Sequence, residues 1–157
     1  MRLLDSTDLR LLQALSTSPR ATTVALAEQL QLSRNTVQAR LAALETSGAL
    51  LSFERCIDQA ALGYPLTAFT TVYAKQQHLS AITRALKEIP EVVQAFGISG
   101  PSDILVRIVC RSAEELFEVS ARLLQIEGVE RTEMALAISE MVPYRLAPLM
   151  RKLAKDL

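Results

Sequence analysis

The hydrophobic periodicity of this chain changes once, near residue 48, and that change limits the folds open to it. Before it, apolar residues recur at three- and four-residue spacing, as they do on amphipathic helices. After it, short β-branched and aromatic runs alternate with helical stretches. A chain of 157 residues patterned in this way has room for two small domains, one helical and one mixed.

The helical part divides into three. Asp5 is placed to cap a first helix over about residues 5–16, with Leu9, Leu12 and Leu15 along one side. "STSPR" breaks it, because Pro19 cannot continue a helix. Thr22 or Thr23 caps "TVALAEQL", "QLS" makes a three-residue turn, and Ser33 caps a third helix over about 33–46. Gly48 closes that helix. Two short helices joined by a three-residue turn and preceded by a packing helix match a helix-turn-helix unit. "ALLSFERCI" follows with a β-rich composition, read as a strand or small wing. "DQAALG" reads as a single helical turn leading to Gly63 and Pro65.

From Leu66 the pattern is strand "LTAFTTVYAK", helix "LSAITRALKEI" capped by Ser80, and strand "EVVQAFGIS". The turn "GPSD" and the strand "ILVRIVC" come next. Then come a helix capped by Ser112 with Glu115 at the capping-box position, and the strand "VERTEMALAIS". This β-α-β-β-α-β order is a ferredoxin-like split βαβ unit. The fold class is α+β: a winged helix-turn-helix domain over 1–50, a wing or linker over 51–65 and the ferredoxin-like domain over 66–143. A tail helix over 144–157 is interrupted or restarted at Pro148.

Half of the residues are apolar and 22% are charged, as in a globular protein. No apolar run reaches membrane-spanning length, and "MRLLDSTDLRLL" has neither an h-region nor a small-residue cleavage site. The expected address is the cytoplasm. Cys56 and Cys110 stand far apart, as free thiols of a reducing compartment do. The single histidine, His78, has no partners at metal-ligand or triad spacing. There is no GxxxxGK[ST] and no GxGxxG. Catalytic residues, a metal site and a cofactor are therefore not expected.

Net charge is zero, and the two halves do not differ: residues 1–60 carry six arginines against six acids, and 61–157 carry eleven against eleven. The local pattern is more telling. Gln29–Leu44 holds two arginines and no acid. On a helical wheel Val37, Leu41 and Leu44 form the buried stripe of the third helix, and Arg34, Asn35, Gln38 and Ala42 lie opposite. Arginine bonds guanine bidentately, and asparagine and glutamine bond adenine, in a major groove. Ser33, Thr36 and the first helix amides suit phosphate. An ordinary solvated face has the same residue types, but it leaves the upstream helix, the turn and the acid-free stretch unexplained. Arg40, on the flank, is open to two readings: an ion pair with Glu28 or Glu45, or a phosphate contact. So few cations call for doubling, that is, a two-fold dimer with helices about 34 Å apart on a palindromic site.

The chain resembles the Lrp/AsnC (feast/famine) regulators over nearly its whole length. The resemblance rests on the LD-x-x-D start, the LA-x-x-x-x-LS turn, Arg40, the LE-x-x-G end, the G-x-x-D turn "GPSD" and Gly128-Val129 before the last strand. It implies that the second domain is a RAM domain, which dimerises through its sheet and assembles further to tetramers or octamers. It also implies an amino-acid effector at contacts between dimers. The matching positions are Gly100, Ser102 and Asp103, with Thr132 and Met134 on the last strand. Turn amides suit a carboxylate and Asp103 an ammonium, although Gly-Pro-Ser-Asp is also a good hairpin turn in its own right. Three readings follow: a sequence-specific transcriptional regulator, an effector-independent protein that bends or wraps DNA, and an enzyme built on the ferredoxin-like domain. The last lacks a catalytic constellation.

Overall fold

The fold is that of a computed structural model, which describes residues 4–156. Residues 1–3 and 157, at the ends of the expected first and last segments, lie outside the described residues. The chain divides into two compact units, Met1–Arg55 with Val142–Leu157, and Cys56–Met141.

The first unit opens on α1 (Ser6–Thr17), α2 (Thr23–Leu30) and α3 (Arg34–Thr46). Each start is fixed by an oxygen at the N-cap. Asp5 accepts from the Asp8 amide, and Asp8 answers from its own side chain, a full capping box. Thr22 accepts from Ala25 and Ser33 from Thr36. The α2–α3 turn is a Schellman motif, in which the Leu32 amide donates to Ala27 at 2.9 Å and the Gln31 amide to Glu28 at 3.3 Å. Gln31 holds φ 57°, a left-handed conformation that costs a non-glycine residue roughly 1 kcal/mol. Two features offset that cost: Leu32 tucks against the core, and Arg10 Nη2 donates to the Leu30 carbonyl at 3.0 Å. Leu11, Leu26, Val37 and Leu44 form the centre of this core.

No strand follows. Phe53–Cys56 forms a 3-10 turn instead of the expected wing. A strand needs a neighbour to take its amides and carbonyls. The four strands of the structure pair only with one another, and charged Glu54 and Arg55 follow an exposed Phe53. The tail differs as well. Its helix begins only at Ala147, so of the two readings of Pro148 the restart holds: Pro148 sits in the first turn of α6 (Ala147–Asp156), where a missing amide costs nothing. α6 packs on α1, so the last helix belongs with the first.

The second unit is one antiparallel sheet of β1 (Leu66–Ala74), β2 (Val92–Gly97), β3 (Ile104–Cys110) and β4 (Val129–Leu136), in the order β2-β3-β1-β4. This is the ferredoxin-like order expected from the chain. The helices α4 (Leu79–Lys87) and α5 (Ala113–Leu124) cover one face. There Val72, Ile104, Val106 and Ile108 meet Ile82, Leu86, Val119 and Leu123. α4 starts at Leu79 and not after Ser80, because a 3-10 turn over Gln76–His78 runs straight into it and leaves no gap for a cap. Ser112 caps α5 as expected, but Glu115 turns outward to Arg111, accepting from its amide at 2.6 Å and its guanidinium at 2.8 Å. Gly128 is forced: its φ is +91°, and a Cβ there would lie 2.3 Å from that of His78. Cys110 is buried among these groups. Loss of water, with Glu115 nearby, pushes its thiol up to about 11, so it stays protonated and inert.

Candidate functional site

α3 presents the side chains that the sequence singles out. Val37 and Leu44 are buried, while Arg34, Asn35, Gln38 and Ala42 are exposed. Among the described residues, Arg34, Asn35 and Gln38 make no side-chain hydrogen bond or ion pair, so all their donors and acceptors remain available. Ser33 and Thr36 are already engaged: Ser33 Oγ accepts from the Thr36 amide at 3.1 Å and lies 2.8 Å from Thr36 Oγ1. They fix the helix start, and their hydroxyls retain capacity for one further bond each.

Sequence reasoning missed Ala39. Asn35, Thr36, Ala39, Arg40 and Ala43 line a shallow depression of about 600 Å³ along this helix. The spacing Asn35, Ala39, Ala43 is i, i+4, i+8, the signal that would have found it. Small side chains here let another surface approach the helix backbone.

Arg40 forms a structural ion pair, as one of the two readings had it, but with other partners. Its Nη1 donates to Asp8 Oδ1 at 2.9 Å and also to Asp5 Oδ2. Neither Glu28 nor Glu45 is its partner. The guanidinium ties α3 to the start of α1, 32 and 35 residues earlier in the chain. Asp8 is fully buried and Arg40 is 28% exposed at its side chain, so the bond sits at the protein's edge with one end inside. Hydrogen bonding to Arg40, then to the Asp8 amide, holds the Asp5 carboxyl below the usual carboxylate range. The acids also raise the Arg40 guanidinium, which stays charged under all ordinary conditions.

The expected effector residues lie on the second unit. Gly100 is exposed and left-handed at φ +134°, as the turn requires, and Ser102 is buried. Asp103 is already working inside the fold. Its Oδ2 accepts from the Ala74 amide at 2.8 Å and its Oδ1 from Gln76 Nε2 at 2.7 Å. Its amide donates to the Val72 carbonyl at 3.0 Å. Thr132 and Met134 face the helices: they pair with Val72 and Thr70 on β1, both buried, and Met134 packs against the core. The row Ile104, Val72, Thr132 crosses β1. The turn and the last strand are thus about 10 Å apart, two strand spacings. One copy of the chain does not gather all five residues around a small molecule.

The opposite sheet face carries Phe69, Phe96, Arg107, Tyr73 and Arg131. Phe69 pairs with Arg107 and Phe96 with Leu105. Arg107 Nη2 donates to Gln59 Oε1 at 2.9 Å, and Arg131 stacks over the Tyr73 ring at 3.9 Å. The two phenylalanines remain 42% and 49% exposed.

Comparison with known proteins agrees with this arrangement. The family model for the AsnC-type helix-turn-helix domain matches residues 4–45, and that for the Lrp/AsnC ligand binding domain matches residues 67–147. The chain belongs to the Lrp/AsnC family. Among its relatives, the leucine-responsive regulatory protein of Rhizobium meliloti is 30% identical over 142 residues, covering 88% of this chain and 91% of that one. The HTH-type transcriptional regulator FL11 of Pyrococcus horikoshii is 29% identical over 135 residues, 86% of this chain and 89% of the relative. A Neisseria meningitidis transcriptional regulator solved as its L-Met complex is 25% identical with a TM-score of 0.80, covering 94% of this chain and 99% of that one. Escherichia coli AsnC, at 23% identity and a TM-score of 0.82 over 92% of this chain and 98% of its own, shares the fold. This Lrp/AsnC protein is a DNA-binding transcriptional regulator and not an enzyme. Among its described residues no helix is long and apolar enough to cross a membrane.

Proposed function

We propose that the protein reads a palindromic DNA site as a two-fold dimer, with Arg34, Asn35 and Gln38 on base edges and Ser33 and Thr36 near the phosphates. The observation that carries this reading is the pairing of two opposites on one helix. α3 is held rigidly to α1 by the Arg40 bridge, while its outward polar side chains are uncommitted. Base discrimination needs that combination, because a helix that rocks cannot hold bidentate geometry. Arg40 serves as the brace and is not counted among the phosphate contacts.

The dimer forms through the open sheet face. Phe69 and Phe96 lie there with a partly buried Leu105 and Arg107 between them, and contiguous apolar surface of this kind is covered in a working protein. Further assembly to tetramers or octamers brings the turn of Gly100, Ser102 and Asp103 to a neighbouring copy. An amino acid bound there, with Thr132 and Met134 contributed from the last strand, tunes DNA affinity.

Replacing Arg34 or Gln38 by alanine is expected to cost about 1–3 kcal/mol at the selected site, against little on random duplex. Selection of the site from a random library, followed by anisotropy titration on both duplexes, measures it. Equal losses on the two would end the base-reading role. The effector reading has its own test, a thermal-shift series over the twenty amino acids on wild type, Asp103→Asn and Asp103→Ala. Loss of the response in both variants makes the carboxylate a ligand. Loss in Asp103→Ala alone makes it a turn clamp, through the Ala74 and Gln76 bonds that asparagine partly retains. No response in wild type favours the effector-independent, DNA-bending alternative.

A further inference from the structure

The tail carries most of the surplus positive charge of the DNA-binding unit. Among the described residues, the part before residue 56 is balanced, with five arginines against five acids. Two of those arginines are spent internally, Arg40 on Asp5 and Asp8 and Arg10 on the Leu30 carbonyl. The segment after Met141 adds Arg145, Arg151, Lys152 and Lys155 against Asp156 alone. The second unit runs the other way, with seven basic groups against eleven acids. A chain of zero net charge is therefore polarised by unit, and most of the positive surplus of its reading unit comes from residues that follow the other unit in sequence.

α6 is built to display that charge. At 100° per residue, Arg151, Lys152 and Lys155 fall within one arc of about 100°, and Leu149 and Leu153 lie on the other side. All three cations are exposed, and among the described residues none forms an ion pair. The N-terminal end of the helix, Ala147, Pro148 and Met150, is half-buried in the unit that contains α3. From this arrangement we infer that α6 is a second DNA-contacting element, in which Arg151, Lys152 and Lys155 bind backbone phosphates without regard to sequence. The inference rests on the DNA-binding reading of α3. It adds cationic contacts to the neutral ones at the start of α3, since phosphate contacts hold a protein in register while base contacts choose the site.

The test uses the full chain and a random-sequence duplex of about 30 bp, sampled over a salt series by fluorescence anisotropy. The variant is R151Q/K152Q/K155Q, which keeps helix propensity. Each phosphate contact contributes about 0.9 to the slope of log affinity against log salt. The slope is expected to shrink by roughly 2–3 per bound protomer, with equal affinity losses on random and selected duplexes. The control R84Q/K87Q removes exposed charge from α4, in the other unit, and is expected to leave the slope unchanged. An unchanged slope in the triple variant overturns the inference, and so does an equal drop in both variants, which would mean net charge alone is at work. If wild type binds neither duplex, the function assigned to α3 fails first. If wild type binds and only the triple variant matches it, the fault lies with α6 alone.

Discussion

A Phe69→Glu protein is expected to fold with native helicity, to sediment as a monomer and to bind its DNA site about 100-fold or more weakly. Phe69 sits in β1, a central strand of the sheet, on the face away from α4 and α5, so the core does not depend on it. In one copy a glutamate there meets water and, across the strand pair, Arg107. In the dimer proposed above it would put a carboxylate from each copy into the covered face, removing apolar contact and adding an uncompensated burial of charge. On the proposed two-fold reading, loss of DNA affinity follows from loss of doubling, because each copy would then bind one half-site alone. Analytical ultracentrifugation with DNA titration separates the two effects. A variant that stays dimeric would move the assembly surface away from this face.

The second large effect is expected at Asp8. It is fully buried, accepts from Arg40 Nη1 at 2.9 Å, and receives the Asp5 amide at 3.3 Å in the capping box. Asp8→Ala removes the return half of that box and leaves Arg40 with Asp5 alone. The expected loss is about 2–3 kcal/mol, the usual consequence of breaking a partly buried, hydrogen-bonded ion pair. Urea unfolding by circular dichroism measures it, and a loss below about 0.5 kcal/mol would place the bridge among ordinary surface pairs. DNA affinity is expected to fall on all sequences together, since α3 loses its brace without losing a base contact. The same bridge has an acid limit. The Asp5 pKa is lowered in the folded state, so its contribution is complete above about pH 4, the ordinary aspartate value, and is lost as pH falls through the depressed one.

Element order was legible because it depends on local periodicity: α2 and the caps Asp5 and Ser33 stand where the pattern puts them. What failed depends on contacts between distant residues. The Arg40 partners are invisible to reasoning that looks one helical turn away. The wing was read from β-rich composition, and composition does not reveal whether a neighbouring strand exists. The side on which Met134 lies was likewise out of reach, because it depends on the β1–β4 register, which sets it on the helix-covered face. Counting charges by halves concealed the polarity of the two units, because the tail folds back to join the first.

That return of α6 to α1 also sets an order of events at the ribosome. The three-helix segment leaves first, with the α1 surface meant for α6 still bare. The covering helix is made only after the whole second unit, a wait on the order of ten seconds at about 5–20 residues per second. The nascent reading unit must stay folded on its own small core through that interval. Until α6 is made it also lacks most of its surplus positive charge. On the DNA-contacting role inferred for α6, a chain that has not yet made that helix holds DNA less tightly than one that has.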